Sequence, residues 1–402
     1  FCLEEDSDKR AIFSTSILIT FAGFAILALL APLADNIGAI SACYPLFMMY
    51  YIGYTLYTTM SYFARGIEAI AAYSACGVLN TALAIGFNLL FLVAFRWGLF
   101  GYIAAFSISF SASAFVLFIA SKGYRYCTVR GIHASLVKEL IGYSAPMIPN
   151  GISWWVSNSA GLYSVMLFCG ASASGIYSAA QKIPAIIYAV CGIFMTAWRI
   201  SSVKGFGTGE SKDFYAHILR GLIAFSTVLT AALIVLVRPV SSVMYASDFQ
   251  EAWRYVPLLT IAVYYHSMDE FFGSVYTSAK NTKMLFISAV VGAAVNVILC
   301  LVLVPFTGLD GAAVAALGSY LLIYCVRDVH TEKFFPFRRY RKTQTICTAL
   351  LLISALAMTH LGSVGIYVSS AALTILVFVN WGTFKSVAQV IARGRISRIT
   401  GR

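Results

Sequence analysis

Three ionisable side chains share one face of an otherwise apolar segment, residues 255–277. His266 and Glu270 are four residues apart, and Asp269 lies three residues after His266, so a helix would present all three on one side. A charge at the centre of a membrane helix costs about 2.5–3.5 kcal/mol on insertion scales. Two adjacent carboxylates in a low-dielectric setting resist simultaneous ionisation, which suits ion coupling by proton or cation exchange. An ion pair between helices, or a kinked and wetted span, is the structural alternative.

Lys182 is a second candidate for chemistry inside the membrane. It continues a small, polar stripe formed by Gly175 and Ser178 at helical spacing. Pro184 follows it and frees a backbone carbonyl within the span. A buried ammonium in a cavity would attract an anionic head group. The alternative is an ion pair with Asp269, but that carboxyl lies roughly 10 Å deeper by helical rise, so a direct pair is not assured.

Aromatic and amide side chains supply further candidate substrate contacts. Segment 142–168 opens with two prolines and Asn150, which favours an irregular helix facing protein or water. Trp154 and Trp155 follow that break and are interpreted either as cavity wall or as part of an interfacial aromatic belt.

Tyrosines could stack on sugar rings and bond to hydroxyl groups. Tyr54 and Tyr57 lie on a tyrosine-rich stripe of segment 41–63, and Tyr177 precedes Lys182. Packing between helices is the alternative for these rings. The predicted substrate-binding residues are therefore Lys182, Asn150, Trp154, Trp155, Tyr177, Tyr54 and Tyr57, and the predicted ion-coupling residues are His266, Asp269 and Glu270.

The composition indicates which kind of fold must position these side chains. The 402 residues are 60% apolar and 11% charged, whereas soluble domains are about 45–50% apolar and about 25% charged. A mean hydropathy of +0.83 means that lipid must cover most of the surface. An all-α polytopic membrane protein is therefore expected. Twelve segments are long enough to span a bilayer, at residues 12–34, 41–63, 69–94, 99–120, 142–168, 173–197, 215–237, 255–277, 284–305, 309–326, 344–361 and 365–384.

The basic residues orient these spans. The chain has 28 Lys and Arg against 16 Asp and Glu, a net charge of +12, and all but five of the basic residues fall on one side of the twelve-span arrangement. By the positive-inside rule both termini are cytoplasmic. The basic loops lack the aromatic interleaving or folded module that base recognition needs, so nucleic acid is not an expected partner.

Two segments of the chain echo each other. Residues 98–101 (G-L-F-G) and 308–311 (G-L-D-G) each follow an apolar helix with an internal asparagine and precede an Ala-rich span. Parallel repeats of this kind mark transporters built from two similar helix bundles. We therefore divide the chain into a four-span bundle at 1–130, a six-span bundle at 131–335, and two additional spans with a basic tail at 336–402. A six-helix repeat unit leaves the first bundle two helices short, and an N-terminally truncated fourteen-span protein is the corresponding hypothesis.

Motifs of known enzymes are missing from the sequence. No H-E-x-x-H, G-x-S-x-G or glycine-rich phosphate loop occurs. The nine cysteines are scattered singly without C-x-x-C spacing, which is typical of small apolar residues in helices. The sequence predicts neither an enzyme nor a cofactor nor a metal site.

One block of the sequence resembles a known transporter family. The block comprises Y-S-A-P-M-I-P-N at 143–150, Trp154-Trp155, and G-I-Y-S-A-A-Q-K-I-P at 175–184, followed by Ile193-Phe194 and Ala197-Trp198. It is similar to the polysaccharide-biosynthesis, or O-antigen, flippases of the multidrug/oligosaccharidyl-lipid/polysaccharide exporter superfamily. One departure is Gly161-Leu162, where relatives often carry Asp-Arg before the tyrosine that matches Tyr163.

The resemblance implies two six-helix bundles around a cavity of alternating access. It also implies a polyprenyl-pyrophosphate-linked oligosaccharide as substrate, moved from the cytoplasmic to the periplasmic leaflet of a bacterial inner membrane. Lys182 falls in the matching motif, at a position where a cation would hold the pyrophosphate. Membrane lipids and other membrane proteins of polysaccharide assembly are the further partners that the resemblance implies.

An ion-coupled flippase for lipid-linked oligosaccharide in surface polysaccharide biosynthesis is therefore the expected function. A multidrug or cation exporter of the same fold is the first alternative, although it would need an acidic cavity, which Lys182 opposes. A membrane polymerase or acyltransferase of the same pathway would need a large outer loop, and 238–254 is short. A truncated, non-transporting remnant is the third alternative.

Replacement of Lys182 tests the flippase hypothesis directly. We expect Lys182→Ala to abolish export of the surface polymer, because the head-group cation is lost, while insertion into the membrane is retained. Polymer export and membrane localisation are measured in the same cells. Normal export by this variant would exclude Lys182 from the site.

Overall fold

The structure is a computed structural model, and it describes residues 2, 8–32, 44–128, 132–205, 211–335 and 340–400. Within these ranges the regular structure is helical throughout and contains no strand. The all-α prediction is confirmed. The outer ends of two predicted spans, at residues 33–34 and 41–43, lie outside the described residues.

The chain divides into two compact units, Phe1–Gly142 and Tyr143–Arg402. The helices of the first unit are α1 (Lys9–Leu29), α2 (Tyr44–Gly66), α3 (Ile70–Asn88, continued by a π-helical segment Leu89–Ala94) and α4 (Gly98–Ala120). A short helix, α5 (Ala134–Ser144), carries the boundary between the units.

The second unit contains the remaining ten helices of the described chain. They are α6 (Met147–Cys169), α7 (Ala171–Ala180), α8 (Ala185–Gly205), α9 (Ser211–Val235), α10 (Val237–Met244), α11 (Val256–Ser278), α12 (Thr282–Thr307), α13 (Leu309–Thr331), α14 (Arg341–His360) and α15 (Gly362–Thr400). A 3-10 segment, Ser247–Arg254, connects α10 to α11.

Helices of the structure occupy all twelve predicted spans, and two of these spans are interrupted: 142–168 between α5 and α6, and 173–197 between α7 and α8. Nine helices of the described chain are apolar and long enough to cross a membrane, so the chain is a multi-pass membrane protein. The three predicted spans that do not reach this apolarity are α2, α6 and α11. These three helices carry eight of the ten predicted functional residues.

In the first unit, α4 packs along both α2 and α3, and α1 packs on α2. Its core is aromatic and aliphatic: Phe13 and Phe63 bring their ring centroids within 4.1 Å, and Leu117 is fully buried. A polar contact also joins α3 to α4, where Ser113 Oγ donates to Asn80 Oδ1 at 3.4 Å.

In the second unit, α11 lies among α8, α9, α13 and α14, and most of its 23 residues are buried. The predicted third segment, 336–402, packs within this unit because α14 and α15 both contact α9. Hydrogen bonds fasten it there: Tyr264 on α11 donates to Gln344 on α14 at 2.9 Å and accepts from Thr227 on α9 at 3.2 Å. The predicted division near residue 130 compares with an observed boundary at Gly142.

The two G-L-x-G segments share a positive φ at the first glycine and close packing at the second. Gly98 and Gly308 each begin their turn with a positive φ, +57° and +61°, a backbone region that favours glycine. The second glycine of each segment is tightly packed: a Cβ at Gly101 would lie 3.2 Å from the Phe91 carbonyl oxygen, and one at Gly311 would lie 2.9 Å from that of Leu303. Both glycines therefore allow a helix to approach the one before it.

Replacement of Gly311 by alanine tests this close approach. We expect Gly311→Ala to lower the free energy of unfolding by about 1–3 kcal/mol, because its Cβ would overlap the backbone of Leu303. Gly192→Ala on α8 is the control, since no atom lies within 4 Å of its added Cβ. Thermal unfolding of both variants in detergent checks the prediction, and equal midpoints would contradict it.

Candidate functional site

The predicted ion-coupling residues lie on α11, the most enclosed helix of the second unit. Pro257 lies in the first turn of α11. Backbone N–H groups of a first turn have no partner within the helix, so the missing N–H of proline costs no hydrogen bond. Polar residues recur along its length among large apolar ones, which allows α11 to pack against several helices and still place ionisable groups inside the unit. His266, Asp269 and Glu270 meet three different environments there.

His266 is held in an aromatic cluster that we name the His266 cluster: His266, Trp154, Tyr188, Tyr320 and Asn158. Trp154 Nε1 donates to His266 Nε2 at 3.0 Å. The Tyr188 ring stacks on the imidazole with centroids 5.5 Å apart, and the Tyr320 ring lies 4.9 Å away. Tyr320 OH in turn donates to Asn158 Oδ1 at 3.2 Å. Because Nε2 accepts a hydrogen bond, the imidazole is neutral with its proton on Nδ1.

Asp269 is buried without a partner for its carboxylate. Its relative exposure is 2%, and neither Oδ1 nor Oδ2 has a hydrogen-bond partner among the described residues. An unpaired buried carboxylate is strongly unfavourable unless it binds a proton or a cation. Of the three ionisable residues on this face, Asp269 has the environment that ion binding requires.

Arg327 on α13 is the buried cation nearest to this carboxylate in the fold, but its donors are used elsewhere. It is 6% exposed; its Nη1 donates to the Asp269 backbone carbonyl at 2.8 Å and its Nε to Ser288 Oγ at 2.9 Å. Its Nη2 points to the Leu285 carbonyl at 3.5 Å. Arg327 thus joins α11, α12 and α13 while leaving the Asp269 carboxylate unbonded.

Glu270 forms the inter-helix ion pair that was the structural alternative for this face. Arg199 Nη2 on α8 lies 3.3 Å from Glu270 Oε1. The Arg199 side chain is 50% exposed and that of Glu270 is 18% exposed, so solvent screens the pair, which contributes about 0–1 kcal/mol. The two neighbouring carboxylates therefore differ, and a coupling role for Glu270 stays a prediction.

Residues that could complete a cation site at Asp269 are mainly neutral. Within the described ranges no three His, Cys, Asp or Glu side chains converge as metal ligands. A monovalent cation or a proton at Asp269 would therefore rely on hydroxyl and carbonyl oxygens besides the carboxylate.

Lys182 lies between two helices, and its predicted role in substrate binding stays a prediction. The structure places it in the turn between α7 and α8, with its side chain exposed. The helix ends at Ala180 and resumes at Ala185, after Pro184, so the lysine projects from an interruption rather than from a helical face. It makes no ion pair with a described residue.

The aromatic candidates separate into exposed and packed side chains. Trp154 and Trp155 are exposed on α6, and Asn150 is half-buried near its start. Tyr177 is 1% exposed and packs so close to Gly161 that a Cβ there would lie 2.7 Å from its hydroxyl. In this conformation Tyr177 is a helix-packing residue and does not face open space.

Tyr54 and Tyr57 belong to the first unit and surround Phe110 of α4. Their ring centroids lie 5.4 and 5.6 Å from that of Phe110. Tyr54 remains 44% exposed, whereas Tyr57 is half-buried. Packing between α2 and α4 thus accounts for one side of each ring, and contact with a substrate stays a prediction.

The predicted site lacks five residues that the structure places in it: Asn158, Tyr188, Arg199, Tyr320 and Arg327. The predicted span 309–326 stops just before Arg327, which lies one turn before the end of α13. Tyr188 and Tyr320 lie on α8 and α13, far from His266 in sequence, and nothing in their own segments signals the contact. The sequence feature that could have identified Arg327 as a buried residue is its position directly after the predicted span 309–326.

A pair of arginine replacements distinguishes the buried cation from the exposed one. We expect Arg327→Met to lower the free energy of unfolding by at least about 2 kcal/mol, because buried acceptors lose their donor. Arg199→Met should cost no more than about 1 kcal/mol, because its ion pair is half exposed. Thermal unfolding in detergent is the measurement, and similar losses for both variants would contradict the assignment.

Comparison with known proteins places this fold among transporters. No family model matches the chain, and no curated protein matches it. Several solved structures do match the chain. An outward-facing multidrug resistance MATE family transporter of the MOP superfamily superposes with a TM-score of 0.69 at 13% identity, covering 86% of this chain and 80% of that chain. A MATE transporter in the straight conformation gives 0.67 at 12% identity, with coverages of 81% and 84%.

A third structure is a MOP superfamily transporter from Pyrococcus furiosus, for which a reverse polarity of the binding pocket suggests a different function. It superposes with a TM-score of 0.68 at 12% identity, covering 81% of this chain and 79% of that chain. Likeness at such identity establishes the fold alone. The superfamily and its flippase branch stay predictions, and the fold is what the comparison shows: this multi-pass membrane chain has the fold of MATE transporters.

Proposed function

We propose that this protein is a secondary-active exporter in which binding of a proton or monovalent cation at Asp269 drives the change between inward-open and outward-open states. The observation that carries the proposal is the Asp269 carboxylate, buried and without a hydrogen-bond partner among the described residues. A group placed in this way at a cost in folding stability needs a functional reason. The MATE fold supports transport as that reason.

Ion binding at Asp269 acts on a helix that touches most of the second unit. α11 packs against α8, α9, α13 and α14, so a change in charge at its centre alters the packing of several helices together. A ligand shifts a conformational equilibrium only by its difference in affinity for the two states. In the coupled state, the neutralised carboxylate favours the enclosed site seen here, and release of the ion favours a state in which water reaches Asp269.

A multidrug or organic-cation substrate is the candidate that the comparisons support better. The structural neighbours include a multidrug resistance transporter. The exposed ring of Trp154 and the partly exposed ring of Tyr188 offer a surface on which flat apolar compounds can stack. Glu270 lies near Tyr188, and its negative charge would favour a cation if Arg199 turned away.

A lipid-linked oligosaccharide is the second candidate, and the exposed cations favour it. Lys182 is exposed, and Arg199 is half exposed beside the His266 cluster. Cations at such positions repel an organic cation and attract a pyrophosphate. Under this candidate the chain moves a polyprenyl-pyrophosphate-linked glycan across a bacterial inner membrane, with other polysaccharide-assembly proteins as partners.

Neutralisation of Asp269 tests ion coupling. We expect Asp269→Asn to reduce gradient-driven export in proteoliposomes by at least about tenfold, because the amide cannot exchange a proton or pair with a cation. Asp310→Asn, on an exposed carboxylate in the first turn of α13, is the matched control and should transport normally. Undiminished export by the Asp269 variant would refute the proposed coupling site.

Two cellular assays separate the substrates. Expression in an efflux-deficient strain measures resistance to cationic drugs, and expression in a strain lacking its own flippase measures recovery of surface polysaccharide. Drug resistance that persists in Lys182→Ala supports the first candidate. Recovery of the polymer that is lost in Lys182→Ala supports the second, and failure of both assays with well-inserted protein would refute export of either substrate.

A further inference from the structure

A small polar cavity lies in the second unit, where α9, α14 and α15 meet, away from the His266 cluster and Asp269. The cavity has a volume of about 40 Å³. Each water needs roughly 10–15 Å³ by this measure, so a few waters or one compact oxyanion fit. The lining residues are Arg220, Ile223, Tyr340, Thr343, Val379, Asn380 and Thr383, and none of them is acidic.

Asn380 uses its amide nitrogen to donate to the Leu376 carbonyl, but the other donors of this cavity have no partner in the described part of the protein. The guanidinium of Arg220 makes no ion pair or hydrogen bond there, and its Nη2 lies beside Gly382 of α15. The hydroxyl groups of Tyr340, Thr343 and Thr383 likewise make no side-chain hydrogen bond with the described residues. Thr383 is 4% exposed, whereas Arg220 is exposed, so the cavity joins a buried residue to an accessible cation.

The cavity lies near one end of three membrane spans. Arg220 is roughly 9 Å along α9 from the start of the span Phe214–Val235, since each residue adds 1.5 Å. Thr343 belongs to the first turn of α14, and Thr383 is close to the end of the span Gly362–Ser386. All three helices therefore bring the lining residues to the same membrane boundary, which the distribution of basic residues predicts to be cytoplasmic.

We propose that this cavity binds the phosphate group of an anionic ligand, as a phospholipid head group or as free phosphate. A guanidinium fork matches two phosphate oxygens, and three hydroxyl donors can satisfy the others. Arg220 is exposed near the membrane boundary and has no ion pair with a described residue, so a phosphate at this boundary would supply its counter-charge. Ile223 and Val379 add an apolar wall beside the polar one, which suits the glycerol and first acyl carbons of a lipid.

Lipid binding by the purified full chain tests the proposal. Native mass spectrometry after delipidation, with phosphatidylglycerol or phosphatidylethanolamine added, compares an anionic with a zwitterionic head group. We expect the wild type to retain phosphatidylglycerol, and Arg220→Gln to bind it at least about tenfold more weakly. Lys385→Gln is the matched control, because this exposed cation on α15 does not line the cavity.

A second variant and a second probe identify the source of the phosphate. Thr383→Val removes an enclosed donor without changing the charge, and should weaken binding several-fold even if the arginine variant fails to fold. Inorganic phosphate alone is added while the thermal unfolding midpoint is measured. An Arg220-dependent rise with phosphate, but no Arg220-dependent lipid, assigns free phosphate. If neither probe depends on Arg220 or Thr383, or if Lys385→Gln loses as much lipid as Arg220→Gln, the site is refuted.

Discussion

The hydrocarbon core of a membrane offers no water, so every polar group within a span must find its partner inside the protein. This constraint applies most clearly to α11, one of the three predicted spans that are least apolar, because His266 and Asp269 are buried on it. α11 carries three ionisable side chains within one turn, and it packs against α8, α9, α13 and α14. Its neighbours supply hydroxyl, amide and ring partners that lipid could not.

Arg327 finds its hydrogen-bond partners inside the protein without pairing with the Asp269 carboxylate. Its three donor groups are directed to two backbone carbonyls and a serine hydroxyl, so the arginine is solvated by the protein itself. A guanidinium that instead faced the Asp269 carboxylate would form a buried ion pair with no vacancy for an ion. Because it bonds the peptide carbonyl of Asp269, it contributes positive potential near the carboxylate and leaves both oxygens unbonded.

Periodicity and apolar length predicted the helices well, because both depend on residues that are near one another in the chain. The twelve spans, the shared face of His266 and Asp269, and the repeated glycine turns follow from such local patterns. Contacts between helices do not. Tyr320 reaches His266 from another helix, and Glu270 meets Arg199 across 71 residues. Spacing along one helix identifies a face, but only packing decides which neighbour covers it.

The interruption between α7 and α8 has a mechanical consequence. α7 packs on α6 and on the 3-10 segment Ser247–Arg254, whereas α8 packs on α9 and α11. A continuous helix would move as one body and would transmit a rotation from one set of neighbouring helices to the other. Pro184 has no N–H, and the backbone bonds across residues 181–184 alternate in spacing, so we expect any bending of this span to occur at this turn. Lys182 lies in the turn, and bending there would change the direction of its side chain.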